Sequence, residues 1–358
     1  ILAKRIQKPM KTVAHRSCVV EELVTELLEV CRKHLSKTFF PVLEPAIGVG
    51  SAFEGWCPNE DKDAYCMLVP LKPPRGHSFH LELGTSGGML ARDSRIRVEL
   101  ECTCGMKYML CFIHTDEDKL RRNQAPSLLR TLCLGSYLDV QRIAFCFQST
   151  VESVWGEVSH SRNYRLQVLP SCWFCRMLLT SDSGSTLPVV IIFGVQQGNS
   201  DLYLSSQPVD IYDSSITWPL SFAVAEAKFF SFIARNCERD SVHLECLHVL
   251  TRILDGSGIS TYTMKTVVMH LLHQSWSFLG LSGWHRRYFM ELLAEILVFL
   301  YHRLEERLLE HFFLDNDKLP GEIIMLSTFE RGKPANLLQH LQEDVDAHSR
   351  AMSEFKKL

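Results

Sequence analysis

A switch in hydrophobic period near Asp213-Ser214-Ser215 constrains this 358-residue chain more than any other feature. Before it, short apolar or alternating runs bounded by turn residues recur over residues 64–71, 164–169, 173–180, 187–195 and 202–205. Such runs predict strands, because successive side chains of an extended chain point to opposite faces. A second pair of runs, 96–101 and 107–113, predicts a hairpin turning at Cys104-Gly105, followed by an exposed charged connection over 116–123. Two helices join the strands. One spans 19–35, with Val20, Leu23, Val24, Leu27, Leu28, Cys31 and Leu35 on one stripe, and the other spans 138–154. After the switch the period is helical, over 222–236, 242–254, 262–276, 285–313 and 337–358. The expected class is therefore α+β: a mixed-sheet lobe with a long N-terminal helix over 17–216, then an all-helical lobe over 217–358 that Trp218-Pro219 opens. Residues 1–16, with Lys4, Arg5, Lys8, Lys11 and Arg16, are expected to be a flexible basic segment.

The stretch 48–71, GVGSAFEGWCPNEDKDAYCMLVPL, holds the one pattern that suggests chemistry. Gly50-Ser51 makes a tight turn, and Asp61-Lys62-Asp63 opens the apolar strand. Residues i and i+2 of a strand share a face, so Asp61 and Asp63 set two carboxylates side by side, which is unfavourable unless a cation sits between them or one stays in water. Backbone N–H groups of a Gly-Ser turn can hold phosphate, and paired carboxylates can hold Mg²⁺ that bridges to it. The competing reading of the same residues is a solvated acidic loop. His270 and His273, three apart on one helix, are read as core or surface histidines, and the Met, Phe and Leu stripes of the second half as packing.

A net charge of -3 and 22% charged residues supply no basic surplus of the kind nucleic-acid binders carry. No run reaches the length of a membrane span, and no signal peptide is visible. The chain opens on Ile1 rather than Met, so it reads as a fragment whose anchor is expected before that residue. Thirteen cysteines, an odd number without regular spacing, predict free thiols in a reducing compartment. Cys102-x-Cys104 is read as part of a turn. Cys172 and Cys175 have zinc-ligand spacing but no second pair to complete four ligands, so both pairs are expected to be structural.

Four features in order resemble one family: Gly50-Ser51 with Glu54-Gly55; Asp61-Lys62-Asp63; Trp218-Pro219 with Ser221-Phe222; and Tyr262-Thr263-Met264-Lys265-Thr266. They resemble the male-abnormal (Mab) nucleotidyltransferase-like proteins, relatives of cyclic GMP-AMP synthase. Residues 201–207 (DLYLSSQ) and 222–230 (FAVAEAKFF) resemble the inositol trisphosphate receptor-interacting protein-like branch. The resemblance covers about residues 17–345 and implies a nucleotidyltransferase sheet lobe, a helical lobe and a cleft. It implies that Gly50, Ser51 and Lys265 line a vestigial nucleotide site, and that Asp61 and Asp63 form a vestigial metal site where Mg²⁺ would sit. Lys265 could equally be a surface lysine. Active relatives add a third carboxylate on a later strand, which by order is 187–195, LPVVIIFGV; it holds no acid, and Asp182 and Asp201 lie in the flanking turns. The zinc-binding insertion of cyclic GMP-AMP synthase has no counterpart between Arg239 and Tyr262.

The expectation is a non-catalytic interaction module needing no cofactor. It would belong to a single-pass membrane-anchored protein, lie on the cytoplasmic side, and bind a membrane receptor or channel of the inositol trisphosphate receptor type, with no nucleic acid. The alternatives are an active Mg²⁺-dependent nucleotidyltransferase that recruits Asp201 as the third ligand, and a nucleotide or inositol-phosphate sensor without turnover.

Overall fold

The computed structural model describes residues 2–59, 63–84, 93–207, 214–279, 281–326 and 335–357. In chain order the strands are β1 (Val42–Leu43), β2 (Ile47–Val49), β3 (Tyr65–Lys72), β4 (His77–Glu82), β5 (Arg95–Leu100), β6 (Cys133–Leu134), β7 (Tyr137–Leu138), β8 (Tyr164–Leu169), β9 (Cys175–Ser181), β10 (Thr186–Gln196), β11 (Tyr203–Ser205) and β12 (Leu220–Ser221). The α-helices are α1 (Leu2–Leu35), α2 (Ser51–Glu54), α3 (Glu117–Asn123), α4 (Leu128–Thr131), α5 (Val140–Val154), α6 (Ala223–Asn236), α7 (His243–Ile253), α8 (Thr261–Leu279), α9 (Phe289–Glu306), α10 (Gln339–Glu343) and α11 (Val345–Phe355). The α+β class holds. Two compact units result: a sheet unit of residues 15–50 and 64–224, and a helical unit of residues 1–14, 51–63 and 225–358.

In the sheet unit, β3 and β10 are parallel neighbours, registered from Val189 opposite Tyr65 to Gly194 opposite Pro70. β1 and β2 add to β3, β9 and β11 to β10, β8 to β9 and β12 to β11, all antiparallel. Strands β3 and β10 are apolar on both faces because both faces are covered. On α1, Val20, Leu23, Val24, Leu27, Leu28 and Cys31 are fully buried at helical spacing, and α5 buries Ile143, Ala144, Phe147 and Val151 likewise. The Phe147 and Phe193 rings meet edge-on at 5.2 Å, joining α5 to β10. The β12 pairing of Leu220 with Leu204 and Ser221 with Tyr203 carries the sheet past residue 217, where the helical lobe was expected to open. Trp218 is fully buried and its indole N–H donates to the Leu138 carbonyl at 2.9 Å.

A second sheet orders β4-β5-β7-β6. Here the expected hairpin is corrected. β5 pairs with β4, and residues 107–113 form no strand. Residues 101–116 instead fold back on themselves as an irregular loop, and the expected exposed connection becomes α3, capped by Asp116. His77 anchors this region: its Nδ1–H faces the Arg75 carbonyl at 3.1 Å and its Nε2 accepts the Leu128 N–H at 3.2 Å. That pattern requires the neutral ring, and burial lowers its pKa accordingly.

In the helical unit, α9 buries Leu292, Ile296, Leu300 and Leu304, a strict i, i+4 stripe. Phe229, Phe312 and Phe313 pack edge-on at 4.8 and 5.0 Å. His270 and His273 face Phe312, and each Nε2 meets a backbone carbonyl, of Glu310 and Lys318 respectively. They are packing histidines, as expected. α1 begins at Leu2, ahead of the helix start expected at residue 19, and Val13 is buried. No helix among the described residues is long and apolar enough to cross a membrane.

Arg307 ends α9 in the left-handed region, with φ 55, so that the Leu308 N–H reaches the Arg303 carbonyl. Left-handed backbone costs a residue with a Cβ about 1 kcal/mol relative to glycine. Arg307→Gly is therefore expected to stabilise the chain by about 0.5–1 kcal/mol in a urea titration, its backbone carbonyl still accepting from Asn336.

Candidate functional site

The residues singled out in the sequence begin where β2 ends. Gly50 has φ 81, a conformation that favours glycine, and it lets the chain leave β2 and enter the single helical turn of Ser51–Glu54. The Trp56 N–H closes that turn on the Ser51 carbonyl at 3.0 Å. Asp63 lies seven residues further along the chain than Trp56. One Asp63 carboxylate oxygen, Oδ2, accepts the Asn59 N–H at 2.9 Å and faces the Cys57 thiol at 3.4 Å, while the Asp63 N–H donates to the Asn59 carbonyl. Asp63 thus closes its own loop. Burial, with Asp63 adding to it, pushes the Cys57 thiol up to about 12. Asp61 lies outside the described residues.

Lys265 is 4% exposed, which corrects the surface reading. From α8 its Nζ donates to Glu54 Oε1 and Glu226 Oε2, both at 2.5 Å, and it lies 5.8 Å from the Phe230 ring centroid. Glu54 Oε2 in turn accepts the Trp56 indole N–H at 2.6 Å. Burial alone would lower the lysine, but the two carboxylates outweigh it and hold the ammonium above its ordinary value. Burial raises the Glu54 carboxyl against the pull of Lys265.

One cation against two carboxylates leaves net negative charge, and a relay eases it. The Phe313 N–H points at His311 Nδ1, so the His311 proton sits on Nε2 and faces the Tyr262 oxygen at 2.9 Å. The Tyr262 hydroxyl proton is then free to serve Glu226, which also keeps its phenol well above its ordinary pKa, after burial as the larger cause. In the described geometry, Lys265 is committed to two acids that sequence reasoning did not pair with it. Their signal was an acid embedded in an apolar run, Glu54 between Phe53 and Trp56, and Glu226 within AVAEAKFF.

Within the sheet unit, β10 is the strand on which a third carboxylate was expected. Asp63 precedes Tyr65 by two residues, and the β10 segment registered at and before Tyr65 reads Thr186, Leu187, Pro188, Val189, with no acid. Asp182 is exposed in the β9–β10 turn. Asp201 is buried in the turn between β10 and β11, at the opposite end of β10 from Val189. Seven residues of strand separate Val189 from Gln196, about 23 Å at roughly 3.3 Å each.

The chain is 32% identical over 354 residues to inositol 1,4,5-trisphosphate receptor-interacting protein-like 1 of Rattus norvegicus, covering 95% of this chain and 64% of the relative. The Mus musculus counterpart gives the same identity and coverage. Inositol 1,4,5-trisphosphate receptor-interacting protein of Homo sapiens is 29% identical over 352 residues, 89% of this chain and 62% of the relative. The chain thus spans about two-thirds or less of the curated relatives' length. No protein-family profile matches it.

Lys265→Met leaves two buried carboxylates without their cation and is expected to cost about 3–5 kcal/mol in chemical denaturation, largely recovered when Glu54→Gln and Glu226→Gln accompany it. Acid should also loosen this unit. Burial lowers His243 and His311 from 6.5 to about 4, Glu226 opposing it at His311. The unfolded chain therefore takes up protons below pH 6.5 while the folded one resists them until about 4, so stability is full above 6.5 and falls as pH drops toward 4. The urea midpoint is expected to fall between pH 7 and 5, with a shallower slope in His311→Gln.

Proposed function

Because the chain belongs to the inositol trisphosphate receptor-interacting protein-like family, we propose that it is a non-catalytic interaction module that docks on a membrane calcium-release channel of the inositol trisphosphate receptor type and modulates it. Relatives at 28–32% identity over most of this chain carry receptor interaction in their names. The scaffold is read as nucleotidyltransferase-like, within the Mab and cyclic GMP-AMP synthase lineage, with its chemistry retired and its host protein anchored at the membrane.

One observation carries the non-catalytic part: β10, the parallel neighbour of β3, has no carboxylate along its length. A two-metal phosphoryl-transfer site needs carboxylates placed to a fraction of an ångström around both ions. Asp61 and Asp63 supply two at most. Asp201 sits at the wrong end of β10 to serve as the third. Gly50, Ser51 and Lys265 are read, by family resemblance, as what is left of a nucleotide site, and Lys265 already has its charge satisfied by Glu54 and Glu226. Mg²⁺ at Asp61 and Asp63 would be a remnant rather than a requirement.

Binding of the purified chain to cytosolic fragments of the channel tests this reading. The double variant Asp61→Asn, Asp63→Asn is expected to bind as tightly as the parent, and neither is expected to release pyrophosphate from any of the four nucleoside triphosphates with Mg²⁺. Loss of channel binding with the fold intact, or turnover by the parent that the double variant lacks, overturns it.

A further inference from the structure

Residues 101–116 carry no helix or strand, yet they converge. The loop leaves β5 through Cys102 and Cys104, makes a wide excursion over Met106 and Tyr108, and returns through Cys111 to His114. His114 Nδ1 lies 3.5 Å from Cys102 Sγ, 3.1 Å from Cys104 Sγ and 3.5 Å from Cys111 Sγ. All four potential ligand atoms lie within 4.8 Å of one another. A tetrahedral zinc ion with bonds of about 2.3 Å to sulfur and 2.0–2.1 Å to nitrogen places S···N at about 3.5 Å and S···S at about 3.8 Å. The three S···N distances of 3.1–3.5 Å fit such a site, and the sulfurs, all within 4.8 Å of one another, lie close enough to share one ion.

We propose that Cys102, Cys104, Cys111 and His114 form a closed, structural zinc site. Three thiolates and one imidazole make a set that selects zinc over the hard cations. The spacing, Cys-x-Cys and then Cys-x-x-His, puts each ligand pair on a single turn, so that closing the loop brings pair to pair. The Thr103 N–H points at Cys111 Sγ at 3.4 Å, a bond that orients and stabilises a coordinating thiolate. With four protein ligands no position stays open, so the site holds structure and leaves catalysis aside.

What it holds is visible. Phe112, between the third and fourth ligands, packs edge-on against Phe39 at 4.8 Å and against the buried His77 at 5.4 Å. Beyond those rings the loop is fastened by few bonds: Gln124 reads the Leu110 backbone at both N–H and carbonyl, and the Glu101 N–H meets the Gly76 carbonyl. Without an ion, three thiols and a histidine would crowd together on an exposed loop for little return. With one, the ion supplies the core that the loop lacks.

The whole chain, expressed with added zinc and purified without chelator, is expected to carry one zinc per chain by native mass spectrometry. Cys102→Ser with Cys104→Ser should lose it, while Cys18→Ser with Cys172→Ser, two exposed cysteines outside the cluster, should keep it. Chelation should expose Lys107 to trypsin while the rest of the chain stays resistant. Co²⁺ exchanged into the unaltered chain should show the thiolate-to-metal absorption of a tetrahedral site, a readout that needs no variant to fold. A metal-free chain with free thiols, a disulfide among Cys102, Cys104 and Cys111, or zinc that persists in the double-serine variant overturns the proposal.

Discussion

The helical unit depends on one buried ammonium. Lys265 reaches Glu54, 211 residues earlier in the chain, and Glu226, 39 residues earlier. Removing three such groups from water costs several kcal/mol per ion, and their attraction repays it only when the geometry is good and the remaining donors and acceptors are satisfied. Here they are: the Trp56 indole serves Glu54, and the Tyr262–His311 relay serves Glu226. Such a cluster selects an arrangement more than it adds stability. It requires Glu54 and Trp56 to lie with α6 and α8, and the His248 Nδ1–H, donating to the Cys57 carbonyl at 2.7 Å, fastens the same segment to α7. A stretch that follows a strand in the chain is thereby made part of the helical unit.

Much of the fold was legible because the hydrophobic period is faithful to it. The run 164–169 is β8 to the residue, and 187–195 lies within β10, because strands covered on both faces can be apolar throughout. The helical stripes of the second half became α6 to α9, the first three with shifts of up to three residues, whereas the stripe over 285–313 is α-helical only over Phe289–Glu306. Illegible were the places where long-range contacts override local pattern. Residues 107–113 alternate like a strand, yet β5, the strand they were expected to pair with, is already flanked by β4 and β7. Lys265 sits near a helix start, where a lysine is ordinarily in water, and only the fold supplies its two acids. The Cys-x-Cys turn was visible, but the Cys-x-x-His that meets it after six intervening residues was not distinguishable from chance until the loop had a shape.

The two units solve the same problem by different means. The helical unit has apolar stripes to bury, and it orders an otherwise polar segment with charge. The four-stranded sheet is small, and the long loop beside it has few apolar residues facing inward. There, ordering falls to Phe112 on His77 and to the cysteine–histidine cluster. In both places a group that would be expensive alone is kept because its neighbours complete it.

Asp63 carries a quieter implication. Its Oδ2 already receives the Asn59 amide and the Cys57 thiol, so any ion arriving there competes with the chain itself. Occupancy and this fastening would then be a single equilibrium: a cation held tightly would free Cys57 and Asn59 from Asp63, and the fastened carboxylate would starve the cation. A carboxylate that serves as a clasp is in this sense guarded by its own backbone, and making it a ligand would mean first giving Asn59 another acceptor.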